Sequence, residues 1–170
     1  MSSKLTRDQI ETYLREVGAH LDAQSLIGEI LITGGAFMTL VLKSRPSTKD
    51  VDAFIASDAT AMRAAVAAVA KRHHLPETWL NDAVKGFLYT QPATRMWAQY
   101  PGLRIFVPTT DYIFAMKADA ARPEDRDDLL VLKRTLGLET LHEALAIVEQ
   151  YIPRPRIRVQ TQYMLESLFE

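Results

Sequence analysis

Glu-Ile-Leu-Ile-Thr-Gly-Gly at positions 29–35 and Asp-Val-Asp-Ala-Phe-Ile at positions 50–55 are the two stretches that decide the fold of this chain. The first predicts a strand followed by a tight glycine turn, because a short apolar run bounded by glycine is typical of a buried strand. Residues 36–43 are expected to form a helix, and the second stretch predicts another strand. The order strand, turn, helix, strand predicts a sheet with helices packed on it.

The aspartates of the second stretch, Asp50 and Asp52, are expected to project from one face of their strand, because side chains alternate faces along a strand. Two neighbouring carboxylates repel each other unless a cation lies between them, and oxygen ligands suit Mg²⁺ or Mn²⁺. Gly34 and Gly35 allow a phosphate to approach the main chain, and free amides at the start of a helix attract negative charge. These features predict a site for a metal-bound nucleoside triphosphate.

Several short motifs carry a resemblance to a known family. They are residues 34–40, Arg45, Thr48, Asp50 to Asp52, residues 79–82, and Lys117 with Arg122, Asp125 and Asp128. With them the chain resembles the nucleotidyltransferase superfamily with the polymerase-beta type of fold, whose signature is a Gly-Gly or Gly-Ser turn followed by Asp-x-Asp or Asp-x-Glu. More narrowly, it looks like the AbiEii-type nucleotidyltransferases, which include toxins of type IV toxin–antitoxin systems. The resemblance covers residues 28–130.

The resemblance implies a metal-dependent enzyme that transfers a nucleoside monophosphate from a nucleoside triphosphate to an acceptor hydroxyl. The implied cofactor is Mg²⁺ or Mn²⁺, held by Asp50 and Asp52. The acceptor that it suggests is tRNA or another RNA, and the protein partner is an antitoxin. Gly34 and Gly35 would bind the substrate, and losing either aspartate should greatly reduce the rate.

Two further groups of residues are expected to contribute to this site. Lys117 and Asp128 are expected to be catalytic, with Lys117 contacting the triphosphate; substrate binding is expected from Arg45, Thr48, Lys49 and Asp125. Each has a simpler alternative. Lys117 could be a surface lysine whose stem covers a helix core, the acids could be ordinary first-turn residues, and the loop residues could only shape the turn.

One departure from the superfamily pattern leaves the activity open. Many members carry a third acid on a strand neighbouring the Asp-x-Asp strand, and the candidate strand here, residues 103–107, contains none. Asp125 or Asp128 could supply that acid, or catalysis could proceed without it. The alternative is a catalytically silent member that binds a nucleotide or a protein. A helical interaction module, with Asp-x-Asp arising by chance, is a third hypothesis.

Length predicts one domain. The predicted elements favour an α+β (α/β) fold with a small mixed sheet, which is the core that the resemblance implies, at about residues 25–110, followed by a helical part at about 110–170. A net charge of −1 argues against a strongly basic nucleic-acid binder. The chain contains no cysteine, which excludes disulfides. Neither a signal peptide nor a long apolar run is evident, so the expected location is the cytoplasm, without membrane contact.

The remaining predicted elements follow from capping, periodicity and turn residues. Thr6 and Gln9 predict a capping box at the start of a helix that runs to about Leu21. The other elements are a helix at residues 59–71, a helix at 77–88, a strand at 103–107, and helices at 110–121, 124–136, 139–151 and 156–169.

Overall fold

A computed structural model of the chain describes residues 3–56, 58–82 and 88–170. These residues form an α+β architecture, as predicted, with helices, a five-stranded mixed sheet and a separate two-stranded sheet. The chain divides into two compact units. The first comprises Met1–Gly86 and Thr94–Val107, and the second comprises Phe87–Ala93 and Pro108–Glu170.

The first unit contains the sheets and three helices. Its elements are β1 (Leu5–Thr6), α1 (Arg7–Asp22), β2 (Gly28–Thr33), α2 (Gly34–Leu40), β3 (Ser47–Thr48), β4 (Val51–Ile55), α3 (Ala59–His73), β5 (Leu80–Asn81), β6 (Thr94–Tyr100) and β7 (Leu103–Pro108). The predicted capping box of α1 is confirmed, since Thr6 Oγ1 accepts from the Gln9 amide and Gln9 Oε1 accepts from the Thr6 amide. Helices α1 and α3 pack against each other.

The five-stranded sheet has the strand order β5-β4-β2-β7-β6. The central strand β2 runs antiparallel to β4 and parallel to β7, while β4 runs parallel to β5. Ile30 and Ile32 on β2 are buried, as are Val51 and Ala53 on β4. The three strands predicted from the sequence, at residues 29–33, 50–55 and 103–107, are therefore confirmed.

The helix predicted at residues 77–88 is wrong. Glu77–Trp79 forms one turn of 3-10 helix, and Leu80–Asn81 is strand β5. The Trp79 ring is buried and its Nε1 donates to the Val66 carbonyl at 3.1 Å, so the chain is anchored to α3 at this point and continues as a strand beside β4. Residues 83–87 of the predicted helix lie outside the described residues.

The second unit is helical, as predicted for the C-terminal part. Its elements are α4 (Thr110–Ala120), a 3-10 turn at Pro123–Asp125, α5 (Arg126–Leu136), α6 (Leu141–Tyr151), a 3-10 turn at Arg154–Arg156, and α7 (Val159–Glu166). Helix α4 packs against α5, α6 and α7. Its Ile113 and Phe114 are buried, as are Leu129 on α5 and Val148 on α6. Within the described ranges, every helix is too short or too polar to cross a membrane.

Candidate functional site

The glycine turn and the Asp-x-Asp strand meet at one edge of the five-stranded sheet. Strand β2 ends at Thr33, which pairs with Asp52 of β4, and Gly34 follows directly. Gly34 has a φ of 64°, which favours glycine, and a methyl group added there would lie 2.8 Å from Asp52 Oδ2. The carboxylate of Asp52 therefore lies against the glycine backbone, and any side chain at Gly34 would displace it.

Gly35 faces the loop that leads to the acids. A methyl group added at Gly35 would lie 2.6 Å from Thr48 Oγ1 and 3.4 Å from an Arg45 guanidinium nitrogen. Thr48 is buried and pairs with Leu5 across the β1–β3 sheet, and its hydroxyl donates to the Asp50 carbonyl at 3.2 Å. The pairing of β1 with β3 thus holds the loop before Asp50 in place, with Arg45 and Thr48 beside Gly35.

Asp50 and Asp52 are both partly exposed and influence each other electrostatically. Burial raises the pKa of Asp50, and the neighbouring Asp52 carboxylate raises that pKa further, while Lys49 acts in the opposite direction. Among the described residues, neither carboxylate has an ion-pair partner within 4 Å. The two acids are held near each other with their repulsion incompletely balanced.

The acid pair is chemically suited to a divalent cation, although the described residues contain no cluster of three or more His, Cys, Asp or Glu that could hold one. Mg²⁺ is commonly bound by one or two carboxylates, with substrate phosphates and water completing its coordination. Asp50 and Asp52 fit that pattern, since a cation would offset both the burial of Asp50 and the repulsion from Asp52, which together raise the pKa of Asp50. A metal at this site would therefore depend on the substrate for further ligands.

The strands that neighbour the acids are β2 and β5, and the presence of β5 there differs from the expectation based on sequence. The predicted neighbour, residues 103–107, forms β7, and β2 lies between β7 and β4. Asn81 of β5 pairs in register with Asp52, so the two side chains share one face of the sheet. A neutral amide therefore occupies the position beside the acid pair, and its Nδ2 donates to the Thr78 carbonyl at 3.4 Å.

The sequence contained Asn81 within the motif at residues 79–82 but gave no reason to place it beside Asp52. Strand β5 is two residues long, too short to show periodicity, and it pairs with a distant part of the chain. The following Asp82 accepts from the Ile55 amide at 3.5 Å and lies 3.5 Å from an Arg63 guanidinium nitrogen. Asp82 therefore links β4 and α3.

A cavity of about 510 Å³ lies beside Asp50 in the first unit. Apolar surface in its wall comes from Leu75 and Trp79 among others. The polar residues of the wall are Ser3, Lys49, Asp50, His74 and Thr78. Arg45, Thr48 and the two glycines are not part of this wall. The loop residues predicted to bind substrate thus separate into Arg45 and Thr48 beside Gly35, and Lys49 beside the cavity.

The other predicted site residues form a buried ion-paired cluster in the second unit. Lys117 Nζ on α4 lies 2.7 Å from Asp125 Oδ1 and 2.9 Å from Asp128 Oδ2. All three residues are at least 92% buried. The alternative of a surface lysine is therefore wrong, and the lysine neutralises part of the charge of the two acids. The acids themselves come from the 3-10 turn and from the first turn of α5.

The predicted site residues are thus distributed over both units. Those of the first unit are Gly34, Gly35, Arg45, Thr48, Lys49, Asp50 and Asp52, and those of the second are Lys117, Asp125 and Asp128. Comparison of the chain with protein-family models, curated proteins and solved structures finds no match.

Proposed function

We propose that this protein is a nucleotidyltransferase that uses Mg²⁺ or Mn²⁺ to transfer a nucleoside monophosphate from a nucleoside triphosphate to an acceptor hydroxyl. The observation that carries the proposal is the contact between the Asp52 carboxylate and Gly34, with Asp50 two residues away. A phosphate chain that followed the glycine backbone would therefore reach both acids. The resemblance of the motifs to nucleotidyltransferases supports the same chemistry.

In the proposed reaction the acceptor oxygen forms a bond to the α-phosphorus, the bond from that phosphorus to the bridging oxygen breaks, and pyrophosphate leaves. The acceptor proton passes to solvent or to a nearby base. A bound divalent cation would neutralise the triphosphate and the leaving group. Asp50 and Asp52 would hold that cation, and positioning would supply much of the rate enhancement.

The residues around Gly35 are suited to the phosphates. The Arg45 guanidinium lies beside Gly35 and presents planar donors that match phosphate oxygens. Because Gly35 has no side chain, the guanidinium and the Thr48 hydroxyl lie close to the main chain. We propose tRNA or another RNA as the acceptor and an antitoxin as the regulatory partner, on the basis of the family resemblance.

A catalytically silent nucleotide-binding protein is a second candidate function. Asn81 favours it, because the strand beside Asp52 presents an amide where a third carboxylate would help to bind a second cation or deprotonate the acceptor. In that case the site would still bind a metal-bound triphosphate through Asp50 and Asp52. It would differ from the enzyme in transferring nothing.

Transfer of an α-labelled phosphate tests the proposal. The protein is incubated with each α-labelled nucleoside triphosphate, Mg²⁺ or Mn²⁺, and total cellular RNA or protein. We expect label in RNA with the intact chain, and a decrease of roughly 10³-fold or more with Asp52→Ala. Asp127→Ala is the matched control, because Asp127 is an exposed acid outside the site.

The results separate the two candidates. Metal-dependent triphosphate binding that requires Asp52, without transfer to any pool, would favour the silent protein. Label that is incorporated equally by the Asp52→Ala variant would contradict both.

A further inference from the structure

The cavity beside Asp50 has a defined position relative to the glycine turn. Strand β4 lies between β2, which leads into the glycine turn, and β5, which follows the residues in the cavity wall. The first residues of β4 lie beside the end of β2, because Asp52 pairs with Thr33. They also lie beside the start of β5, because Val51 pairs with Leu80. Along this edge of the sheet, the order is therefore glycine turn, acid pair, cavity.

That order matches the geometry of phosphoryl-group displacement. The attacking and leaving oxygens lie roughly in line on opposite sides of the phosphorus. If the pyrophosphate lies along the glycine turn and the α-phosphorus lies at the acid pair, the attacking oxygen must approach from the side away from the turn. The cavity is on that side, and Asp50 belongs to both the acid pair and the cavity wall.

The cavity also has the size and surface chemistry of a binding pocket for one nucleotide. Small-molecule pockets span about 300–1,000 Å³ and combine apolar walls with a few polar groups. Leu75 and Trp79 supply apolar surface, Thr78 supplies a hydroxyl, and Lys49 and His74 supply groups that can bind a phosphate. Asp50 is the carboxylate in this wall.

We infer that this cavity is the acceptor site, and that it holds a nucleoside phosphate with a ribose hydroxyl toward Asp50 and the phosphate toward Lys49 and His74. The inference rests on the proposed function, to which it adds the place and chemical class of the acceptor. A free nucleotide and the terminal nucleotide of an RNA share this chemistry.

Tryptophan fluorescence tests the inference directly. The chain has two tryptophans, so Trp97→Phe leaves Trp79, in the cavity wall, as the single reporter. This variant is titrated without divalent metal with AMP, GMP, CMP, UMP, inorganic phosphate, and a short RNA with a free 3′ end. We expect a saturable change with at least one monophosphate, and weaker binding of inorganic phosphate. Binding of the RNA as well would identify a terminal nucleotide as the source, and its absence would identify a free nucleotide.

Variants identify the site of binding. Lys49→Ala combined with His74→Asn should weaken monophosphate binding by at least about tenfold, because charge-assisted hydrogen bonds are lost. Asparagine is chosen because His74 has a positive φ of 55°, which asparagine tolerates. The matched control is Lys71→Ala with His20→Asn, which removes the same side-chain types at exposed positions outside the cavity wall.

Failure of the inference can be distinguished from failure of the proposed function. If label transfer occurs but no probe gives a saturable change, the acceptor site lies elsewhere and the inference is overturned. If monophosphates bind but nothing is transferred with any triphosphate, the proposed function fails and the acceptor role fails with it. Competition between a monophosphate and a non-hydrolysable triphosphate with Mg²⁺ would instead assign the cavity to the donor, which also overturns the inference.

Discussion

Two of the carboxylate pairs in this chain, one in each unit, have opposite surroundings. In the second unit, Asp125 and Asp128 are buried and share the amino group of Lys117. In the first unit, Asp50 and Asp52 are partly exposed, lie at the edge of the sheet beside a glycine turn, and have no ion-pair partner within 4 Å among the described residues. The acid pair of the second unit is therefore partly neutralised by a lysine, and the pair of the first unit has no such ion pair among the described residues.

This difference in burial and ion pairing indicates which pair can bind an external cation. Carboxylates that are buried against a lysine already have their counter-charge, and removing that lysine is costly. The pair at the sheet edge is partly exposed, and burial together with the neighbouring Asp52 carboxylate raises the pKa of Asp50. A divalent cation would reduce the repulsion between these two carboxylates, so the pair in the first unit is the better candidate for cation binding, and the pair in the second unit is already ion-paired.

Replacing Lys117 tests the structural side of the comparison and has the largest expected effect on stability. Lys117→Met leaves two buried acids without their shared cation, and we expect the free energy of unfolding to fall by about 3–5 kcal/mol. Urea denaturation measures the change. Lys71→Met, at an exposed position, is the control and should change stability little. Lys117→Met with Asp125→Asn and Asp128→Asn should recover much of the loss, whereas a loss below about 1 kcal/mol for the single variant would contradict a structural role.

Two glycines with a positive φ, Gly34 in the candidate site and Gly137 outside it, allow the effect of the same substitution to be compared. Gly34→Ala and Gly137→Ala each force alanine into a left-handed conformation, at a cost of about 1–2 kcal/mol. Gly34→Ala also brings a methyl group against Asp52, whereas an added methyl group at Gly137 meets no atom within 4 Å. We therefore expect both variants to lose stability in thermal denaturation, but only Gly34→Ala to lose triphosphate binding and label transfer. Equal activities of the two variants would show that the contact with Asp52 is unimportant.

Asp50→Asn tests the electrostatic side of the comparison and has the smallest expected effect. The pKa of Asp50 is raised in the folded state above its unfolded value of about 3.9. The folded state therefore binds this proton more tightly, so the contribution of Asp50 to stability is greatest below the unfolded pKa and is lost as pH rises through the folded pKa. At neutral pH without divalent metal, the Asp50→Asn variant should be more stable than the native chain.

A pH series measures this effect by the difference in the free energy of unfolding between the two proteins. The advantage of Asp50→Asn should decrease as pH falls toward about 4, where the native carboxyl becomes protonated. Adding Mg²⁺ and a nucleoside triphosphate should stabilise the native chain more than the variant. A stability advantage that is independent of pH would show that ionisation of Asp50 is not its cause.

Much of the fold was predictable because its signals are local. The apolar runs of β2 and β7 and the stretch at residues 50–55 identified three strands, and the Thr6–Gln9 capping box located the start of α1. Strand β6 was missed because it forms an edge of the sheet, and most of its residues are exposed or only half-buried. An edge strand with weak burial gives little periodic signal.

The candidate site was predictable in part. The contact between Gly34 and Asp52 follows from a strand, a turn and a second strand that pair locally, so the sequence could place both residues together. The position of Asn81 could not be predicted, because it depends on the pairing of β5 with β4. The prediction that residues 77–88 form a helix failed for the same reason, since the burial of Trp79 against Val66 outweighed local preference.

Local sequence signals predicted the α+β class, the strand that leads to Gly34 and Gly35, and the strand that carries Asp52, because apolar periodicity and glycine conformation act over a few residues. Only the tertiary structure decided that Asn81 stands beside Asp52, that Lys117 is buried between Asp125 and Asp128, and that a cavity adjoins Asp50. Each of these depends on strand pairing, side-chain burial or packing between segments that are distant in the chain or on different elements. Those contacts are fixed by the packing of the whole unit, and a short stretch of sequence does not encode them.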